Sequence, residues 1–445
     1  MYTNRSRRAE MPSVLIGCII STMTDLWRHA DFLRLWAAQA ISAFGSRISR
    51  TALPIIAITT LDQSETSVAL LWSLYLVPGL VLALFAGSIV DRSRKRRILI
   101  ASDVFRAVVF GSITVAWWLD VLSMAHLVIA GALVGAASAL FTITDVAYLP
   151  VLVGKRYIAD GNAKLEATEG VAEVTGPATA GVLIGVLGAP VAVLVDSASY
   201  LWSAVMLGRI RTKEPPPAPA PSASSSTWES TRGLRDGMRV VFGHPYVRPV
   251  VITLVVWSIA GGFFTSLYTL FCFRTRGLDA TTFGVIVAIG GVGSLLGAMI
   301  SRRLVGAIGL GPTLIVSSVV SVAGALLIPM ADGSTALYFL GAHQLISDCF
   351  SVAFIIQAVT LRQTVLPRDM LGRANAAIHI CTAGLVPIAA LAAGWLAEVT
   401  TIRHAVWIGV TVGLVAPVFL WPLRSLRMMP EAASSSTELA QATGT

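Results

Sequence analysis

The stretch "GSIVDRSRKRRIL" (Gly87–Leu99) places five basic residues and one aspartate directly after a run, Thr66–Val90, that carries no charge. Read alone, the basic cluster suits a nucleic-acid patch, a targeting signal or a membrane edge. The preceding run decides between them. At 1.5 Å per helical residue, about twenty apolar residues match a hydrocarbon core about 30 Å thick. An apolar run that stops abruptly in arginines marks the boundary of a membrane span.

Similar runs recur along all 445 residues, of which 55% are hydrophobic and 13% charged. A soluble domain carries roughly 25% charged residues, so few surfaces of this chain can face water. The fold class is an all-α polytopic membrane protein with twelve transmembrane helices. The expected spans are 32–61, 67–90, 98–119, 122–150, 163–187, 189–208, 247–272, 281–304, 311–330, 335–361, 374–397 and 404–424. Between the sixth and seventh lies "RIRTKEPPPAPAPSASSSTWESTRGLRDGMRVVFGHP" (Arg209–Pro245). Its Pro/Ala/Ser core, Pro215–Ser226, reads as a linker, and Trp228–Phe242 as a short amphipathic helix on the membrane surface. The chain thus divides into a segment 1–30, a bundle 31–208, a linker 209–246, a second bundle 247–424 and a tail 425–445.

Basic residues orient the spans. With the N-terminus inside, inner segments hold 27 of the 33 Lys and Arg; Arg274, Arg276 and Arg403 fall outside, and Arg47, Arg50 and Arg106 within spans. Both termini and the linker are therefore expected in the cytoplasm of a cell whose plasma membrane holds the protein, with a bacterial source expected. Arg5, Arg7 and Arg8 precede a run, Met11–Ile20, too short to span. "LIGC" (Leu15–Cys18) resembles a lipoprotein cleavage box; the alternatives are an interfacial stretch, or a true start at Met23.

The halves repeat one another. "GNAKLEA" around Asn162 pairs with "RANAAIH" around Asn375 at an offset of 213, and Pro177 with Pro387 at 210. "GSIVDRSRKRR" pairs with "GAMISRRLVG" from Gly297, also at 210, with Ser301 in the place of Asp91. Two parallel six-helix repeats are the architecture of a secondary transporter that holds substrate between its halves.

The pattern Gly87-x-x-x-Asp91-Arg92-x-x-Lys95-Arg96-Arg97 resembles the loop signature of the major facilitator superfamily, with Arg94 where that signature carries a second glycine. The resemblance covers about residues 30 to 425. "FLRLWAAQAISAFGSRISRTALP" (Phe32–Pro54), "ASDVFRA" (Ala101–Ala107) and "QTVLPRDMLGRANAA" (Gln363–Ala377) resemble the drug-efflux branch that includes macrolide exporters and the enterobactin exporter. "GPATAG", with Gly176, Pro177 and Gly181, is similar to a motif associated with antiporters. The resemblance implies multidrug efflux by proton antiport, and with it antibiotic resistance; a siderophore or lipid carrier of the same fold is the alternative. Direct reading of Pro177 gives a helix bend, and of the glycines a close helix approach.

Charges within spans need a partner or a watery cavity. Arg47 and Arg50 share a face of the first span; Glu166, Glu169 and Glu173 share one of the fifth. Arg47, Arg50, Asp145 and Glu173 are the candidates for proton coupling, with Asp196 and Asp348 behind them. Asp103 and Arg106 read as a structural pair. Trp257, Phe263, Phe264, Tyr268 and Phe271 suggest an aromatic cavity wall. Trp257, Phe264, Tyr268, His343, Asp348 and His379 are the substrate-cavity candidates, with Gln344 beside them. The four cysteines (Cys18, Cys272, Cys349, Cys381) form neither a disulfide framework nor a metal-ligand spacing. No Ser/His/Asp grouping and no Gly-rich phosphate loop is present. The expectation is a non-enzymatic monomer without metal or cofactor, whose partners are a small-molecule substrate, protons and membrane lipids, and not nucleic acid.

Overall fold

The computed structural model describes residues 26–214, 226–367 and 370–428. The short N-terminal run, the Leu15–Cys18 box, Met23, Cys18 and the Pro215–Ser225 part of the linker lie outside the described residues. The described residues contain helices and no strand.

Six helices form the N-terminal half: α1 (Ala30–Ile55), α2 (Glu65–Asp91), α3 (Lys95–Trp118), α4 (Met124–Val153), α5 (Ile158–Leu187) and α6 (Ala189–Gly208). After the linker, α7 (Ser226–Gly243) precedes six more: α8 (Val247–Thr275), α9 (Ala280–Ile308), α10 (Leu310–Met330), α11 (Ala336–Val365), α12 (Leu371–Val399) and α13 (Ile402–Leu423). Eleven of them are long and apolar enough to cross a membrane among the described residues. The twelfth spanning helix, α1, carries Asp31, Arg34, Arg47 and Arg50, and those charges lower its hydropathy. Helix α7 corresponds to the expected amphipathic segment.

The duplication is visible in the backbone. Both α1 and α8 end in a five-residue π-helical turn, Ile56–Thr60 and Phe271–Thr275. The next helix is then capped alike: Ser64 Oγ accepts from the Ser67 amide, and the Asp279 carboxylate from the Thr282 amide. Helix α12 breaks at Gly384, three residues before Pro387. A proline lacks the N–H that would bond four residues back, and its ring crowds that carbonyl. By contrast, α5 runs unbroken through Pro177.

Burial divides the molecule along its long axis. One continuous apolar core joins both halves at the end of the 62–64 and 331–335 loops, with Ile56, Tyr200, Phe271 and Val410 among its members. Toward the opposite, arginine-rich face the core splits. Phe32, Tyr148 and Leu207 pack within the N-terminal half, and Val250, Phe354 and Leu423 within the C-terminal half. The halves are thus fused at one end and separate at the other.

The basic run that opens α3 is explained by helix ends. The Arg96 guanidinium donates to the carbonyls of Leu207 and Gly208, which end α6, where a cation meets the negative end of the helix dipole. At the start of α3, the Glu214 carboxylate accepts from the Lys95 and Arg96 amides at 2.8 Å each. Arg94 sits at the cap position with φ −72° and ψ 112°. That is ordinary extended backbone, so the turn needs no second glycine. Arg92 and Arg97 are exposed; the surroundings of Gly87 and the side chain of Asp91 lie outside what is described. Ser301, the counterpart of Asp91, is buried and bonded within its own half, accepting from Gln357 at 2.8 Å and donating to the Ala353 carbonyl.

The first residues of the linker belong structurally to the N-terminal half. Asp31 accepts from the Thr212 hydroxyl at 2.7 Å and from the Arg211 and Thr212 amides. Helix α7 instead packs on the C-terminal half, where Gly237 lies against the Arg373 backbone of α12.

Candidate functional site

The polar groups of the two halves differ. On the N-terminal side, Arg47 of α1 reaches α5 and pairs with Glu169 at 3.0 Å and Glu173 at 2.5 Å. Both carboxylates are more than half exposed, although they lie on a membrane-spanning helix. Ionised side chains facing hydrocarbon are costly, so they open onto the space between the halves. The glycine beside them has a direct reason: a Cβ at Gly176 would lie 2.7 Å from Arg47 Cγ. Gly176 lets the arginine stem pass.

The expected pairing of Arg47 with acids of its own half is present, with Glu169 as a second partner. Arg50 is not part of it. It is exposed beside Leu53, Trp72 and Tyr75, and one turn of helix carries it away from the α5 acids. Asp145 meets no arginine and instead accepts from Gln39 Nε2 at 2.5 Å. Asp196 is fully buried and accepts from Ser199. Asp103 and Arg106 form a buried ion pair, and Arg106 lies between the rings of Phe141 and Tyr200, 4.4 and 4.2 Å from their centroids. The pairing itself is the one expected.

On the C-terminal side, a cavity of about 310 Å³ opens between α8, α10, α11 and α13. Trp257, Phe264, Tyr268, His343 and Asp348 all line it. Phe264 stacks on Tyr268 at 4.6 Å with an interplanar angle of 26°, and His343 lies 5.6 and 5.9 Å from the two rings. Phe263 is a further lining residue, whereas Phe271 is buried in the shared core. His379 does not join this group. It is exposed on the Leu371–Ala383 part of α12, below the break that Pro387 imposes. Ser321 and Ser347 line the cavity too; isolated serines in apolar helices gave no sequence signal.

Between the walls, α9 carries adjacent glycines that serve both. Asp348 Oδ2 lies against Gly290, and Val174, next to Glu173, lies against Gly291.

The closed end is sealed by small residues and one arginine. Gly181 of α5 and Gly284 of α9 meet backbone to backbone; a Cβ on Gly181 would stand 2.9 Å from Gly284 Cα. The glycine of the motif that makes the close approach at this face is Gly181. Ser73 of α2 donates to the Pro387 carbonyl of α12 at 2.9 Å. Arg274, in the last turn of α8, crosses to the other half and donates to Glu65 at 2.9 Å, Asp62 at 3.0 Å and the Gln63 carbonyl at 2.6 Å. Nearby, Arg276 and Arg403 both pair with Asp332. Chiefly through the hydrogen bond from Arg276, its carboxyl is held down at about 2.

A model of the Major Facilitator Superfamily matches residues 35–383. An uncharacterized MFS-type transporter, YfiS of Bacillus subtilis (strain 168), is 24% identical over 396 residues, covering 86% of this chain and 88% of that one. The nucleoside transporter NupG aligns at a TM-score of 0.71 with 12% identity over 88% of this chain and 99% of its own. A bacterial homologue of the iron transporter ferroportin aligns at 0.71 in its inward-facing state, with 16% identity over 89% of this chain and 98% of that one. In its outward-facing state the same homologue aligns at 0.56, with 17% identity over 88% and 98%.

Proposed function

The chain belongs to the Major Facilitator Superfamily, and from that premise we propose that it exports amphipathic small molecules by proton antiport, cycling between inward- and outward-open states. The observation that carries this reading is the division of the core, continuous between the halves at one end and split at the other. A rocking transporter caught open to one side has that form. The excess of basic residues assigns the split end to the cytoplasm, so the chain stands inward-facing. The higher TM-score with the inward-facing ferroportin homologue supports the same state.

In this reading the two walls have separate roles. Arg47, Glu169 and Glu173 form the coupling site: a proton taken by Glu173 weakens its hold on Arg47 and loosens α5 against α1. The aromatic cavity of the C-terminal half receives cargo. Arg274 and the Gly181–Gly284 crossing hold the outer end shut until the halves rock. The signature loop around Asp91 and Arg92 closes the cytoplasmic end in turn. The drug-efflux assignment is supported by the resemblance of the first, third and eleventh spans to that branch.

The test is accumulation of a panel of antibiotics, dyes and siderophores by cells making the protein, with and without an uncoupler. Lower accumulation on expression, restored by the uncoupler, is expected for at least one compound. Retention unaffected across the panel, or raised by expression, would overturn export. Glu173→Gln and Asp145→Asn variants that both keep pH-driven export would end the coupling assignment.

A further inference from the structure

The cavity of the C-terminal half is lined by polar atoms that lack partners. His343 Nε2 and Trp257 Nε1 are buried without a hydrogen bond, and both residues line the same space. The Tyr268 hydroxyl, also unsatisfied by normal hydrogen-bond geometry, lies near the Cys272 thiol, a weak partner. His343 is 3% and Tyr268 5% exposed. A buried polar atom left unpaired is destabilising. Three such atoms around one apolar cavity give it the polar anchor points of a ligand site.

The character of that ligand follows from the hydrogen-bond network. Ser347 Oγ donates to the Ser321 carbonyl at 2.8 Å, so toward His343 Nδ1, 3.0 Å away, it is the acceptor. The Gly324 carbonyl, 3.2 Å from the same nitrogen, can only accept. Nδ1 therefore carries the hydrogen, and in the neutral ring Nε2 presents a lone pair to the cavity. The Asp348 carboxylate lines the same space and has no hydrogen bond or ion pair among the described residues; only its main-chain carbonyl is bonded, by Ser351. No Lys or Arg lines the cavity among the described residues.

These features select one class of occupant. Two acceptors, one of them charged, call for N–H donors and a positive charge, while the Trp257 N–H and the Tyr268 hydroxyl can donate to the ring or to an acceptor of the same ligand. The stacked Phe264 and Tyr268 faces favour a flat ring, and aromatic faces attract cations. At about 310 Å³ the cavity lies at the small end of ligand pockets, which run from about 300 to 1,000 Å³. A carboxylate or catecholate would face Asp348 and the His343 lone pair with no compensating base. A metal ion lacks a ligand set, because no group of three His, Cys, Asp or Glu suited to a metal occurs among the described residues.

We propose that this cavity binds flat organic monocations bearing N–H groups, such as aromatic amines and amidines, with Asp348 holding the charge and His343 Nε2 accepting an N–H. The inference rests on the transport reading only in treating the occupant as cargo.

Binding to the purified full-length protein in lipid nanodiscs tests it, using fluorescence anisotropy. The probes are ethidium (a flat aromatic monocation with amino groups), its uncharged parent diaminophenylphenanthridine, and the anion fluorescein. Ethidium is expected to bind wild type at least ~10-fold more tightly than fluorescein. Asp348→Asn should lower ethidium affinity ~10-fold or more while leaving the uncharged parent within about 2-fold. Retained binding of the parent also reports that the variant is folded. His343→Phe should weaken ethidium and parent together, since both donate N–H. Fluorescein binding to wild type as tightly as ethidium overturns the proposal without any variant, and so does ethidium binding unchanged by Asp348→Asn. Binding with the expected pattern, but no movement of any compound across proteoliposomes, would refute transport and leave the site standing.

Discussion

The N- and C-terminal halves share a helix order, a wide helical turn and a capping scheme, yet their inner polar groups have opposite chemistry. The N-terminal wall carries charges that satisfy one another: Arg47 lies between Glu169 and Glu173. The C-terminal wall carries rings and one unpaired acid, Asp348, among polar atoms that lack partners. A self-satisfied cluster responds when a proton changes its charge. An unsatisfied one responds when a ligand supplies what is missing. The difference teaches that duplication fixed the frame, while substitutions within each half set its polar chemistry apart from the other's.

The most damaging way to break the comparison is to prevent the halves from meeting. Gly181→Leu places a side chain where Gly284 backbone now lies. Overpacking costs about 1–3 kcal/mol, which shifts the closing equilibrium by roughly 5- to 150-fold. Transport should fall by a comparable factor, and cysteine labelling from the outer face should rise. Normal transport with unchanged labelling would show that the crossing does not seal.

Exchanging the roles of the two walls tests their separation directly. Arg47→Gln should reduce pH-driven export at least ~10-fold while leaving ethidium affinity within about 2-fold. Asp348→Asn should do the converse in binding. If both variants moved both measurements equally, the walls would form one site.

Arg274→Ala removes a bridge between halves that is partly exposed to solvent. Exposed ion pairs are worth about 0.2–1 kcal/mol each, so a several-fold increase in outward-open molecules is expected, read by distance measurements between spin labels on α2 and α12. Unchanged distance distributions would remove Arg274 from the gate.

The smallest effect belongs to Asp332, which ties loops within one half only. Its carboxyl is held at about 2, below the ordinary 3.8, so it stabilises the fold above pH 4, and that contribution fades as pH falls toward 2. Asp332→Asn should lower Tm slightly at pH 6 and not at pH 2. An equal difference at both values would exclude the charge as its cause.

Much of this architecture was legible in the residues. Apolar run length gives twelve spans, and arginine placement gives the orientation expected of them, because hydrocarbon thickness and lipid charge act on each segment alone. Five of the six cavity candidates line one space for a related reason: polar groups on apolar helices must converge somewhere. His379 fails because the break below Pro387 separates it from that space. Arg50 was grouped with Arg47 from their spacing of three, which places residues on one face but does not say which neighbour reaches them. Gln39 and Glu214 were missed, since a lone amide or a linker acid carries no pattern until a helix end or a carboxylate is brought beside it.

The sequence by itself determined that this chain crosses a membrane in two repeated bundles, since span length, charge bias and repeat spacing are local properties. Only the tertiary structure decided which end is closed, that Gly181 meets Gly284, that Arg47 divides itself between two acids, and that His343 presents a lone pair to an aromatic cavity. Those are facts of contact between distant segments, fixed by close packing and by which buried polar atoms find partners.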